Sequence, residues 1–206
     1  MYLVKTPWWL RKLYSPNVTW EIPTEKKEIF LTFDDGPHPT ITPFVLECLR
    51  QYNAKATFFC IGKNIKQFPE VYQQILDEGH QVGNHTYNHL NGWKTGDIIY
   101  LKNVILAQRV INSTLFRPPY GRITKSQVKE LSPVFNIVMW NVLSGDFDVS
   151  LSPKKCFDNV VSNAASGSII VFHDSEKAFS RLEYALPKAL QFFSEKGYEM
   201  KAIARS

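Results

Sequence analysis

Seven positions in this chain have the types and spacing to do chemistry, beginning with two adjacent carboxylates. Asp34 and Asp35 close the apolar run Ile29-Phe30-Leu31 and are followed at once by Gly36-Pro37. Successive side chains of a strand point to opposite faces, so both acids can serve one site only if the backbone leaves β geometry there, which a Gly-Pro turn permits. Further on, His85-Thr86-Tyr87-Asn88-His89 sets two imidazoles four residues apart. If the segment forms one helical turn, both rings lie on one side, within reach of one cation. A carboxylate from the Asp34-Asp35 turn completes a His-His-Asp set. Three protein ligands leave coordination positions open for water and substrate, the pattern of catalytic rather than structural zinc. The second carboxylate, unligated, is then free to take a proton from a water that the metal activates.

A base of this kind profits from a cationic neighbour, which keeps it ionised and oriented. Arg117, stiffened by Pro118-Pro119-Tyr120, is the candidate. His173 ends the run Ile169-Ile170-Val171-Phe172 and is placed to give a proton to a leaving group, with Asp146 as the acid that orients it and raises its pKa. Each piece alone has an ordinary alternative. Asp-Asp-Gly-Pro is a common solvated turn, a His pair can be structural, and an isolated Arg or His is usually surface or packing. Their occurrence together is what points to chemistry.

The elements that must position these groups alternate along the chain. Apolar runs predict strands over 28–33, 56–61, 135–141, 168–172 and 198–203, with a short extended piece over 80–84. Apolar positions at helical spacing predict helices over 39–52, 69–78, 97–112, 124–131, 153–165 and 181–196. Two prolines make 116–121 a rigid extended loop. Alternating β and α segments with short connections imply a parallel α/β fold, as an open sheet or a barrel. In both, sites are built at the carboxyl ends of the strands, where Asp34-Asp35, His85, Arg117, Asp146 and His173 all stand.

Composition narrows the class. The 206 residues are 44% hydrophobic and 21% charged, enough for a sizeable core and against disorder. The net charge of +5 comes from scattered Lys and Arg with no run longer than a pair, so no nucleic-acid partner is expected. Cys48, Cys60 and Cys156 are odd in number and far apart, proposing neither a disulfide framework nor a thiolate metal site. Residues 1–27 read as an N-terminal segment packed on a single domain of residues 28–206. Trp8-Trp9-Leu10 is interrupted by Pro7 and Arg11-Lys12, so no secretory signal is evident and the cytoplasm is the default compartment. No apolar run is long enough to span a membrane. A monomer is expected.

Thr32-Phe33-Asp34-Asp35-Gly36-Pro37, His85-Thr-x-x-His89, Arg117-Pro118-Pro119-Tyr120, Asp146-Phe147 and Val171-Phe172-His173 together resemble, in order and spacing, the five motifs of the polysaccharide deacetylase family, carbohydrate esterase family 4 or NodB-like domains. The resemblance covers the chain from Glu28 to near its C-terminus. It implies an α/β fold of distorted (β/α) barrel type with about seven parallel strands, fewer than the regular eight. It also implies a divalent metal, usually zinc, held by Asp35, His85 and His89. In the family's roles Asp34 is the general base, Arg117 its charge partner, His173 the general acid and Asp146 the group orienting His173. The backbone N–H of Tyr120 would help hold the oxyanion. The implied substrate is a glycan and the implied reaction is hydrolysis of the N-acetyl group of N-acetylglucosamine units, in peptidoglycan or a chitin-like oligosaccharide. That substrate class is often extracytoplasmic, which sits uneasily with the default compartment.

Two motifs depart from the family pattern. The fourth normally reads Asp-x-x-Asp-Trp, whereas Leu143 and Phe147 stand at its first Asp and its Trp; the fifth usually has Leu where Val171 stands. These residues are expected to line the pocket for the acetyl methyl. Trp93 is either a sugar platform or a core or lid residue. Two other functions stay open at this point: hydrolysis of a different, cyclic amide, and glycan binding without catalysis. The intact ligand set argues against the first and the presence of Asp34 and His173 against the second.

Overall fold

A computed structural model describes residues 2–12 and 17–204; residues 1 and 13–16 of the expected N-terminal segment, and 205–206, lie outside the described ones. In chain order the elements are α1 (Trp8–Lys12), β1 (Val18–Thr19), β2 (Glu28–Asp34), α2 (Ile41–Gln51), β3 (Thr57–Cys60), α3 (Gly62–Gln67), α4 (Pro69–Asp77), β4 (Gln81–Asn84), α5 (Asp97–Gln108), β5 (Leu115–Phe116), α6 (Lys125–Leu131), β6 (Asn136–Val138), β7 (Val142–Leu143), α7 (Pro153–Val161), β8 (Ile169–His173), α8 (Glu176–Glu195) and β9 (Glu199–Met200). A single 3₁₀ turn, Pro119–Gly121, follows β5.

The named strands pair in parallel in the order β1-β6-β5-β4-β3-β2-β8-β7, with β9 on the first residues of β2. That is the expected parallel α/β architecture, with eight strands on the path and a ninth beside it. The strand expected over 135–141 is shorter, Asn136–Val138 alone (β6, beside β1), and the next strand, β7, starts at Val142 at the other end of this order. Only residues 139–141 connect β6 to β7, so the sheet must curl until its ends nearly meet. Asn141 makes the crossing tolerable: its amide N–H donates to the Ile169 carbonyl, its Oδ1 accepts from Ile169 N–H at 3.0 Å, and its Nδ2 donates to Glu21. A polar side chain thus replaces ladder bonds that a regular strand would have supplied.

Strand alternation then sorts the chemistry. On β2, Ile29, Leu31 and Phe33 pack outward among the helices with Val45, Leu49, Leu182 and Leu186. Phe30, Thr32 and Asp34 therefore face the interior of the curled sheet. On β8, Ile170 and Phe172 point outward in the same way, while Ile169, Val171 and His173 point inward. The interior is filled by Phe30, Phe59, Leu115, Val138 and Ile169. Gly83 on β4 makes room for this layer, since a Cβ there would lie 2.5 Å from the Phe59 ring. Above the apolar layer, towards the carboxyl ends of the strands, the interior becomes polar.

α8 begins at Glu176, earlier than periodicity over 181–196 indicates, because Ala178 and Leu182 continue its buried stripe by another turn.

Candidate functional site

Asp34 and His173 are register partners on neighbouring strands, at the same height and on the same inner face. The chain turns sharply after Asp34: Asp35 has φ +83°, so its side chain is swung away from the strand alternation and joins Asp34 in one pocket. Gly36 allows the turn to sit against Asp174, whose carboxyl a Cβ at position 36 would overlap.

The histidine segment is not a helical turn. It is a loop after β4 in which Thr86 and His89 take φ +64° and +57°. Positive φ is costly for such residues and persists only where surrounding bonds enforce it. Here Asn84 Oδ1 accepts from Thr86 N–H, and Asn103 Oδ1, on α5, accepts from both Tyr87 and Asn88 N–H at 2.9 Å. The loop presents the two rings to Asp35 Oδ1, with His89 Nε2 at 3.1 Å and His85 Nε2 at 3.7 Å. Ligand atoms of Asp35, His85 and His89 all lie within 4.8 Å of one another.

These three fit a cation. His85 Nδ1 lies 2.8 Å from the Arg117 carbonyl, which can only accept, so Nδ1 carries the hydrogen and Nε2 offers its lone pair. Burial, more than the neighbouring charges, pushes the His85 pKa down to about 4, so the ring is neutral near pH 7. Asp35 Oδ1 is buried with no hydrogen-bond donor. Burial alone would raise the Asp35 pKa, but His89, His173 and His85 together hold it well below the usual carboxylate range.

Arg117 is wholly buried, unlike a surface Arg. Its guanidinium stacks 4.1 Å from the Phe59 ring centroid, and each of its three nitrogens donates: Nε to Val138 O, Nη2 to Met139 O, and Nη1 to Thr32 Oγ1 and, at 2.7 Å, to Asp34 Oδ1. The carbonyls that fix it come from the β6 exit, so the crossing that curls the sheet also orients the Asp34 partner. On the other flank, Asp146 accepts from the His173 backbone N–H and from His173 Nδ1, each at 2.8 Å, leaving Nε2 directed to the pocket. Burial would lower the His173 pKa, yet Asp146, with Asp35 and Asp34 beyond it, raises it to about 9. Tyr120 has φ +60°, and its N–H makes no hydrogen bond with the described residues.

Thus all eight residues expected from the sequence come together, six lining a pocket of about 730 Å³ and Arg117 and Asp146 directly behind them. Leu143, Phe147 and Val171 line it too, and Trp93, 54% exposed, stands on its rim. Sequence reasoning missed the supports. Asn84 and Asn103 gave no signal beyond proximity to a motif. Asp174, under the Asp35-Gly36 turn, accepts from Gly36 N–H and Thr42 Oγ1; burial pushes its carboxyl up to about 8.

A family model described as polysaccharide deacetylase matches residues 21–133. A peptidoglycan-N-acetylglucosamine deacetylase of Bacillus cereus is 39% identical over 205 residues, covering 95% of this chain and 96% of the relative. A crystal structure of a peptidoglycan N-acetylglucosamine deacetylase in complex with 4-naphthalen-1-yl-N-oxidanyl-benzamide superposes with a TM-score of 0.87 at 33% identity, over 96% of this chain and 95% of that one. A carbohydrate esterase family 4 pseudoenzyme from Bacillus anthracis shares the fold with a TM-score of 0.77 at 25% identity, over 89% of this chain and 66% of that one.

Proposed function

The chain belongs to the polysaccharide deacetylase family, and on that premise we propose that it is a metal-dependent hydrolase of N-acetyl groups on N-acetylglucosamine units, in peptidoglycan or a chitin-like oligosaccharide. The observation that carries this reading is the split of the carboxylate pair: Asp35 faces His85 and His89, while Asp34 is engaged by Arg117. A divalent cation, zinc by its donor set, would be held by Asp35, His85 and His89 and would supply Lewis-acid polarisation and an acidified water. Asp34 takes a proton from the attacking water, and Arg117 keeps that carboxylate oriented. The water oxygen bonds to the acetyl carbonyl carbon, and the Tyr120 N–H is free to donate to the oxygen that gains charge. His173, protonated and aligned by Asp146, gives its proton to the glucosamine nitrogen as the C–N bond breaks, releasing acetate and a free amine. Tyr2, Leu143, Phe147 and Val171 offer an apolar wall for the acetyl methyl.

The test is a pair of variants assayed for bound zinc and for acetate release from N-acetylated glycans. Asp34→Asn should bind zinc and lose turnover by at least about 10²-fold, as loss of a general base does; Asp35→Asn should lose zinc. Since a family 4 pseudoenzyme shares the fold, binding of glycan by zinc-loaded wild-type protein with no acetate released would overturn the enzymatic reading.

A further inference from the structure

Two of the chain's five tryptophans serve neither the site nor the core. Trp8 and Trp9, in α1, are 67% and 54% exposed. A lone exposed apolar residue is ordinary, but Trp is highly buried on average, so two neighbours open to water mark a contact surface. Charge indicates what it contacts. No acid occurs before Glu21, whereas Lys5, Arg11 and Lys12 do. Arg11 pairs with Glu21, its Nη1 2.5 Å from Oε2. Lys5 and Lys12 are exposed and form no salt bridge with a described residue, and Lys12 Nζ lies 4.9 Å from the centroid of the Trp8 ring. Indoles beside unpaired ammonium groups suit the headgroup region of an anionic bilayer: the amphipathic rings settle at headgroup level and the lysines meet lipid phosphate. No helix among the described residues is long and apolar enough to cross a membrane, so such a contact is peripheral.

The backbone fixes the end of the molecule on which this patch lies. Tyr2 lines the pocket, and from it the chain runs antiparallel to β7: Leu143 N–H donates to Val4 O, Lys5 bridges Val142, and Thr6 N–H donates to Asn141 O, just before the amino end of that strand. Arg11 then ties α1 to Glu21, whose bridge partner Ser168 precedes β8, at the opposite end of the strand from His173. We propose that Trp8, Trp9, Lys5 and Lys12 form a peripheral docking surface for an anionic lipid bilayer, which holds the molecule with its pocket turned away from the lipid. This goes beyond the deacetylase reading and does not depend on it.

The test mixes the full chain with vesicles of phosphatidylcholine alone, or of phosphatidylcholine and phosphatidylglycerol in equal parts, and reads the bound fraction by sedimentation together with tryptophan emission. Affinity for the anionic vesicles should exceed that for the neutral ones by at least about tenfold, each lysine contributing about fivefold, and should fall with added salt. Emission should move to shorter wavelength on binding. Trp8→Ala/Trp9→Ala should lose at least about tenfold in affinity and most of the emission shift. Lys5→Gln/Lys12→Gln should bind both kinds of vesicle alike. Trp93→Phe, on the pocket rim, should leave binding and shift as in the wild type. An unchanged thermal transition without lipid shows that a variant is folded, and if the tryptophan variant is not, the lysine pair decides. No binding to anionic vesicles, or binding that both double variants leave intact, overturns the docking surface. A sedimentation coefficient that rises with protein concentration in the wild type but not in the tryptophan variant assigns the patch to a second copy of the chain instead. An emission shift that Trp93→Phe removes overturns the orientation, because the pocket rim then faces the lipid.

Discussion

A buried imidazole tends to shed its proton, so His173 can act as a proton donor near pH 7 only because something opposes its burial. Asp146 does so with an acceptor on each side of the ring's attachment, one oxygen on the backbone N–H and one on Nδ1. The balance brings the His173 pKa to about 9, so the protonated form the reaction needs is present below that pH and is lost as pH rises through it. Replacing Asp146 by Asn removes the raising charge and leaves burial, which lowers. The alkaline limb of kcat/KM should therefore move down by more than about one pH unit, each unit being ~1.4 kcal/mol of lost preference for the charged ring. An unmoved limb would mean that His173 is not the acid. Asp146 and His173 were legible in the sequence because both follow apolar runs. Asp174 was not, since its partners Thr42 and Gly36 lie 132 and 138 residues away and nothing local marks a carboxyl held neutral by burial. Arg117 was legible as a partner but not as a wholly buried cation, because its ordering acceptors are backbone carbonyls at Val138 and Met139.

At the scale of elements, His-x-x-x-His fits a helical turn and a constrained loop equally well, and spacing alone cannot choose between them. The choice is made by Asn84 and Asn103, whose side-chain oxygens hold the N–H groups of Thr86, Tyr87 and Asn88 in a loop with Thr86 and His89 at positive φ, which no right-handed helical turn contains. Of the five non-glycine residues with positive φ among those described, Asp35, Thr86, His89 and Tyr120 belong to the site's two loops and the carboxylate turn. The bonds that enforce these conformations thus set the positions of the metal-facing atoms. Asn103→Ala leaves two loop N–H groups without their acceptor and should weaken zinc binding about 10- to 100-fold, the usual cost of losing support behind a ligand. Competition with a chromophoric chelator measures it. Asn103→Asp keeps an oxygen acceptor and should restore much of the affinity; equal loss in both variants would assign the effect to general damage in α5 instead.

For the whole molecule, alternation of strands and helices was enough to predict a parallel α/β fold, but the curl of the sheet was hidden at residues 139–141. That stretch reads as the tail of one apolar strand, and only Asn141, bonded to Ile169 across the gap, betrays a crossing between the sheet's two ends. The curl brings the ends of β2 and β4, separated by β3, to face one cavity, so a cation held by Asp35, His85 and His89 would tie together elements that meet only through β3. Stability should then depend on free metal. At zinc about a hundredfold above its dissociation constant the folded state gains ~2.7 kcal/mol, provided the unfolded chain binds none. For a chain of this length that corresponds to a rise in Tm of about 5–10 °C over chelator-treated protein. Asp34→Asn should retain the zinc-dependent rise and Asp35→Asn should lose it, because only the second carboxylate faces the histidines. If both variants still respond to zinc as the wild type does, the cation that stabilises the fold is held elsewhere and the division of labour between Asp34 and Asp35 is wrong.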